Sequence, residues 1–424
     1  MRPLTTLRLA TALLLVLSVG FSACIKDACK QEYAYTFYRP VYKTKTAVRE
    51  NIKSNAVRTV EQPGKLNIRG SYIFLNEVDK GVHVIDNSNP AAPAKVAFID
   101  IPGNVDIAVK GNILYADLYT DLVAIDITNP ANAKLVGIQE NIFPDRIYSN
   151  GFYASMNSEY IISEWIKVDT VVASDCNNGG RWFGWGTADV FFSAASSQSN
   201  VSVSPVGVGG SMARFTIMSD WLYTINTTEL DVFSIAKPEQ PVLKNTVNIG
   251  WGIETIFPFK NRLFVGSRTG MYIYNVSNPS QPAAAGQFNH VQSCDPVIAD
   301  DNYAYVTLRS GNTCQGFTNQ LDIVKLNNFT DPKLEKTYQM SNPHGLSKDG
   351  NTLFICDGAA GLKVYNAADV QNLQLITTIE GIETFDVIAM NGVALVVTKD
   401  GLYQYDYTNL KQIKLLSKIN VSLQ

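Results

Sequence analysis

Asp121-Leu-Val-Ala-Ile-Asp-Ile-Thr-Asn-Pro130 is an apolar, strand-like run closed by Asp126 and followed by a turn at Asn129-Pro130. The Asn-Pro step suits a turn because proline fixes φ and asparagine tolerates turn geometry. Variants of the run recur down the chain. Gly81-Val-His-Val-Ile-Asp86 leads into Ser88-Asn-Pro90, Leu230-Asp-Val-Phe233 into Pro238, Gly270-Met-Tyr-Ile-Tyr-Asn275 into Asn278-Pro279, and Leu321-Asp-Ile-Val324 into Asp331-Pro332. Gly361-Leu-Lys-Val-Tyr-Asn366 and Gly401-Leu-Tyr-Gln-Tyr-Asp406 complete the set.

Working outward from Asp121, residues 104–140 read as four short strands joined by tight polar turns: Val105–Val109, Ile113–Ala116, Leu122–Asp126 and Lys134–Ile138. The ends of the third strands set the period. Asp86 to Asp126 and Asn366 to Asp406 are 40 residues apart, and Ser234 to Asn275 and Lys325 to Asn366 are 41. Asn275 to Lys325 is 50, and Asp126 to Ser234 is 108, which leaves room for one degenerate unit with Tyr160-Ile-Ile162 as a strand. Four-stranded units of about 40 residues predict an all-β fold, a β-propeller of about eight four-stranded blades. Seven blades are expected instead if residues 142–173 form no sheet of their own. Residues 58–60 are expected to meet the final blade and close the ring.

The string Leu122-Val-Ala-Ile-Asp126 with Thr128-Asn-Pro130, and the copy from Leu353 to Tyr365, resemble the LVIVD-repeat family over roughly residues 64–410. That resemblance implies a β-propeller on a bacterial lipoprotein. It implies no catalytic residues.

The N-terminus points the same way. Arg2 and Arg8 precede a short apolar run, Leu9 to Val19, and then Phe21-Ser-Ala-Cys24. The run is short for a bilayer span and suits a signal peptide over residues 1–23. Phe21-Ser-Ala-Cys24 resembles a bacterial lipobox, which makes Cys24 the lipidation site; ordinary cleavage after Ala23 is the alternative. The expected partner is then the membrane, through an N-terminal lipid, with the protein in the bacterial outer membrane, periplasmic or surface-exposed. Residues 24–55 read as a tether whose aromatic cluster, Tyr33 to Tyr42, packs along the domain. Residues 56–424 read as the propeller.

Composition excludes some functions. With 35 basic and 38 acidic residues there is no basic excess, and no nucleic-acid partner is expected. The six cysteines show no CxxC spacing, and only three histidines are present, so no metal or other cofactor is expected. Sialidase boxes, calcium loops and the nucleophile elbow are also missing.

Function on repeat scaffolds tends to sit where the pattern breaks. The largest break is residues 174–212, where Trp182, Phe183 and Trp185 stand among glycines and serines. Such rings suit a sugar or a partner side chain, or else they cap a blade edge or plug the channel. The second break, residues 309–319, holds Cys314, for which a disulfide to Cys294 is feasible. The inner strands begin at Lys65, Asp106, Asp145, Arg214, Glu254, Asp295, His344 and Asp386. Of these, Arg214, Glu254, Asp295, His344 and Asp386 are candidate ligand-binding residues; a mutually paired polar lining is the plain alternative. The leading expectation is a non-enzymatic binding module for a glycan or protein ligand. A propeller hydrolase or lyase using channel carboxylates, with or without His344, and a purely structural envelope protein are the alternatives.

Overall fold

The computed structural model describes residues 30–143, 146–147, 153–154, 158–175, 208–290, 296–310 and 318–422. Cys24, Cys29, Asp145, Cys176, Trp182, Phe183, Trp185, Cys294, Asp295 and Cys314 lie outside the described residues. So do residues 1–29, most of the 174–212 insertion and the body of the 309–319 loop. The chain divides into two units. One is built on a two-stranded ribbon, in which Lys30–Thr44 pairs with Tyr160–Asp175. Its Phe37 and Tyr38 are exposed.

The larger unit holds the blades. Seven antiparallel meanders span residues 63–100, 107–139, 215–248, 253–289, 297–339, 346–379 and 384–420, here called blades 1 to 7. All third strands end where the repeat places them, from Asp86 to Asp406. Each inner strand is buried, while each outer strand alternates towards solvent, as in Val242–Asn248. That pattern follows from packing sheets face to face around a centre, which buries both faces of the inner strands.

The turn after the third strand explains the recurring motif. Oδ1 of Asp126 accepts the Thr128 N–H at 2.8 Å, and Oδ1 of Asn129 accepts the Ala131 N–H at 3.1 Å. The same two successive side-chain turns occur in blade 1 (Asp86 to Ser88, Asn89 to Ala91) and in blade 7 (Asp406 to Thr408, Asn409 to Lys411). Short polar side chains satisfy the N–H groups that the turn removes from the ladder. Just beyond the turn, the third and fourth strands of all seven blades share a register shift, as between Ile273 and Tyr274. Such a bulge increases local twist.

The turn also joins neighbouring blades. The Tyr115 hydroxyl of blade 2 donates to the Pro238 carbonyl of blade 3 at 2.8 Å, and Tyr223 of blade 3 donates to Pro279 of blade 4 at 2.9 Å. Ser417 of blade 7 donates to Pro90 of blade 1 at 2.7 Å. Blades 2 and 3 pack directly, through a shared core that includes Tyr115, Leu122, Phe215 and Phe233. Among the described residues no four-stranded sheet stands between them. The degenerate unit is a two-stranded ladder, Arg146–Ile147 with Tyr153–Ala154, and its third run begins the ribbon strand. Among the described residues the ring is made of seven four-stranded meanders. Val60 bridges Val421 in parallel, and Leu66, Ile73 and Leu75 of blade 1 share a core with Ile388, Leu395 and Leu402 of blade 7.

Residues 42–55, the end of the expected tether, are fastened to the ring. The short helix Lys45–Glu50 presents Arg49 to Asp121 at 2.6 Å and to Glu140 at 2.8 Å, and Ser54–Asn55 pairs with the outer strand of blade 1. Among the described residues no helix is long and apolar enough to cross a membrane.

Candidate functional site

The end of the insertion enters the centre of the ring. Val208–Gly209 pairs with the inner strand of blade 1, the Ser211 hydroxyl accepts the Leu346 N–H of blade 6 at 3.2 Å, and the Ala213 carbonyl accepts the Ile256 N–H of blade 4 at 2.8 Å. Contacts to blades 1, 4 and 6 make this segment a plug.

Charged side chains gather around the plug, one from each blade. Lys65, Asp106, Arg214, Glu254, His344 and Asp386 stand at the beginning of the inner strands of blades 1, 2, 3, 4, 6 and 7. Blade 5 adds Arg309, from the end of its second strand. Four of them form a buried floor: Lys65 is 5% exposed, Asp106 2%, His344 5% and Asp386 0%. Arg214, Glu254 and Arg309 are only partly covered.

The Lys65 ammonium donates to the Met212 carbonyl of the plug. Asp106 accepts the backbone N–H of Arg214 and of Ile107, and its own N–H is held at 2.8 Å by Asp117. Burial pushes Asp106 up to about 6, against the pull of the nearby Lys65 charge. Burial likewise lowers Lys65 to about 8, although Asp106, Asp386 and Glu254 favour its charged form. Asp386 is driven well above the usual carboxylate range by burial. His344 falls to about 3, because burial and the Arg309 charge both oppose a second positive charge. Its ring rests edge-on against Phe385, and Asn342 Nδ2 lies 3.2 Å from its Nε2. His344 is thus held in its neutral form at neutral pH.

Glu254 connects the floor to the rim. It lies within electrostatic reach of Lys65 and Arg309, and it binds Nε of Arg268 at 2.9 Å. Arg268 in turn lies 5.3 Å from the ring of Trp251, which is 60% exposed. Trp251, Arg268 and Arg309 were not singled out by the sequence reading. The signal for Trp251 is Gly250-Trp-Gly252, the same ring-among-glycines pattern read at residues 182–186. Cys356 is a buried free thiol, and no group of metal ligands forms among the described residues.

The family model for the LVIVD repeat matches residues 64–100, 103–140 and 261–290. The chain carries LVIVD repeats. These LVIVD stretches are blade 1, blade 2 and the last three strands of blade 4. A search of curated proteins found no match. Among solved structures, a protein from Lactobacillus plantarum is similar at a TM-score of 0.52 and 14% identity, covering 85% of this chain and 97% of its own. Sqt1 of Saccharomyces cerevisiae is similar at 0.50 and 8% identity, covering 91% and 88%. At such identities the likeness shows the fold alone.

Proposed function

We propose that this LVIVD-repeat propeller is a lipid-anchored protein of the bacterial envelope that acts as a non-enzymatic binding module. Its ligand, a glycan or a protein, engages the face on which the inner strands begin. One observation carries this reading: each of the seven described blades contributes a charged or ionisable side chain to that face. The anchor is supported by the lipobox-like Phe21-Ser-Ala-Cys24. Cys24→Ala should move the protein from the membrane fraction to the soluble one, and an unchanged membrane fraction would remove the anchor from the proposal.

The full chain should be passed over immobilised glycans, peptidoglycan fragments and envelope proteins, with retention and product formation both recorded. Retention by a ligand that is lost in Arg214→Gln combined with Glu254→Gln is the expected result. Retention indifferent to that pair, or no retention at all, rejects the reading. A second reading, a hydrolase or lyase, is favoured by Asp106 and Lys65, whose proton affinities converge towards neutrality. Turnover that disappears in Asp106→Asn would establish it in place of binding alone.

A further inference from the structure

Trp251 is 60% exposed, and its exposure is built into the backbone. Gly250 and Gly252 flank it with φ of 135° and 77°, a region that L side chains avoid. A Cβ at Gly250 would meet nothing closer than the Tyr272 hydroxyl at 3.9 Å, so the glycine serves conformation rather than space. A Cβ at Gly252 would press on the Arg268 stem at 3.3 Å. The two glycines thus turn Trp251 outward and leave room for Arg268 beside it. The contrast is Trp221, which packs against the core between blades 3 and 4.

Arg268 is fixed on two sides. The indole lies against its guanidinium, and Glu254 takes its Nε. Its Nη1 and Nη2 have no protein partner among the described residues. That leaves the forked edge of a positioned guanidinium beside an aromatic face. Such an edge matches a carboxylate in two parallel hydrogen bonds. An indole face matches the apolar face of a sugar ring.

The charge around the pair favours an anion. Among the described residues, Arg214, Arg268 and Arg309 border this face, with Glu254 as a partly covered carboxylate beside them. The acids beneath, Asp106 and Asp386, are buried, and burial raises both above the usual carboxylate range.

We propose that Trp251 and Arg268, with Arg214 and Arg309 nearby, form a subsite for an acidic saccharide, a sugar ring that carries a carboxylate. The proposal rests on the binding-module reading above and names its ligand class. Trp251 stacks on the ring, Arg268 takes the carboxylate, and Glu254 holds Arg268 in place.

Isothermal titration of the full chain with trigalacturonate, with galactotriose and with a triglutamate peptide tests this. Trigalacturonate should bind at least ten times more tightly than galactotriose. Trp251→Ala should weaken it tenfold or more, and Trp251→Tyr, which keeps a ring, should restore most of the loss. Arg268→Gln should erase the preference for the acidic sugar. Melting temperatures of the Trp251 variants should match the parent, because the ring lies outside the core. Equal affinity for the two saccharides, binding untouched by Trp251→Ala, binding of the peptide alone, or no binding overturns the subsite. In each case a ligand whose retention needs Arg214 and Glu254 would still uphold the binding module, so the two proposals fail separately.

Discussion

At the scale of single residues, the buried floor makes a statement about pH. Asp106 holds its proton up to about 6 in the folded ring, above the usual carboxylate value near 4 of an unfolded chain. A raised acid stabilises the fold fully below the unfolded value and loses that contribution as pH rises through the folded one. Asp106→Asn should therefore be at its greatest disadvantage near pH 4 and recover relative to the parent by pH 7. Urea midpoints of both proteins at the two pH values measure this, and a difference that does not change with pH would contradict it. Lys65, Asp106, Glu254, His344 and Asp386 were legible in the sequence because the period fixes where each inner strand begins. The protonation of Lys65, Asp106, His344 and Asp386 was not, because it depends on burial at the centre of the ring, where residues 208–213 arrive from afar. Trp251 escaped notice for a different reason. It sits in a connection of ordinary length, and a search for departures from the period passes over it.

At the scale of the element, the double side-chain turn and the bulge explain why the motif repeats. Asn129 caps the short 3-10 turn Pro130–Asn132 by accepting the Ala131 N–H. Asn129→Ala should cost about 0.5–2 kcal/mol, as for other lost caps, readable by chemical denaturation. The turn is also a contact surface. Gly286 on the outer strand of blade 4 leaves space for the Phe329 carbonyl of blade 5, which a Cβ would meet at 1.8 Å. Because the obstacle is backbone, Gly286→Ala should destabilise by about 1–3 kcal/mol, and a neutral result in the same assay would mean that the outer strand yields easily. The strand ends were readable from local residue types. The fate of Tyr160-Ile-Ile162 was not: its apolar run suits a blade strand, but it begins a long strand paired with Lys30–Thr44, and periodicity carries no information about so distant a partner.

At the scale of the whole ring, closure decides stability. Each of the seven meanders is continuous in sequence, so no strand is exchanged to bind the last blade to the first. Closure rests on the Val60–Val421 bridge, the paired amides of Asn87 and Gln404, and the apolar contact between blades 1 and 7. Apolar packing of this kind also joins blade 2 to 3, 3 to 4, 4 to 5, 5 to 6 and 6 to 7. If so, the closing interface should be as costly to injure as an internal one. Leu395 of blade 7 is 3% exposed in the closing core, and Leu353 of blade 6 is 0% exposed in the core it shares with blade 5. Leu395→Ala and Leu353→Ala should each cost about 2–5 kcal/mol, the range for a leucine cavity. Guanidinium unfolding of the two variants beside the parent supplies the comparison. A Leu395→Ala loss below about 1 kcal/mol, with Leu353→Ala in the cavity range, would mean that blade 1 and blade 7 merely touch. The ring would then be held by its six internal interfaces, as in an open array of repeats.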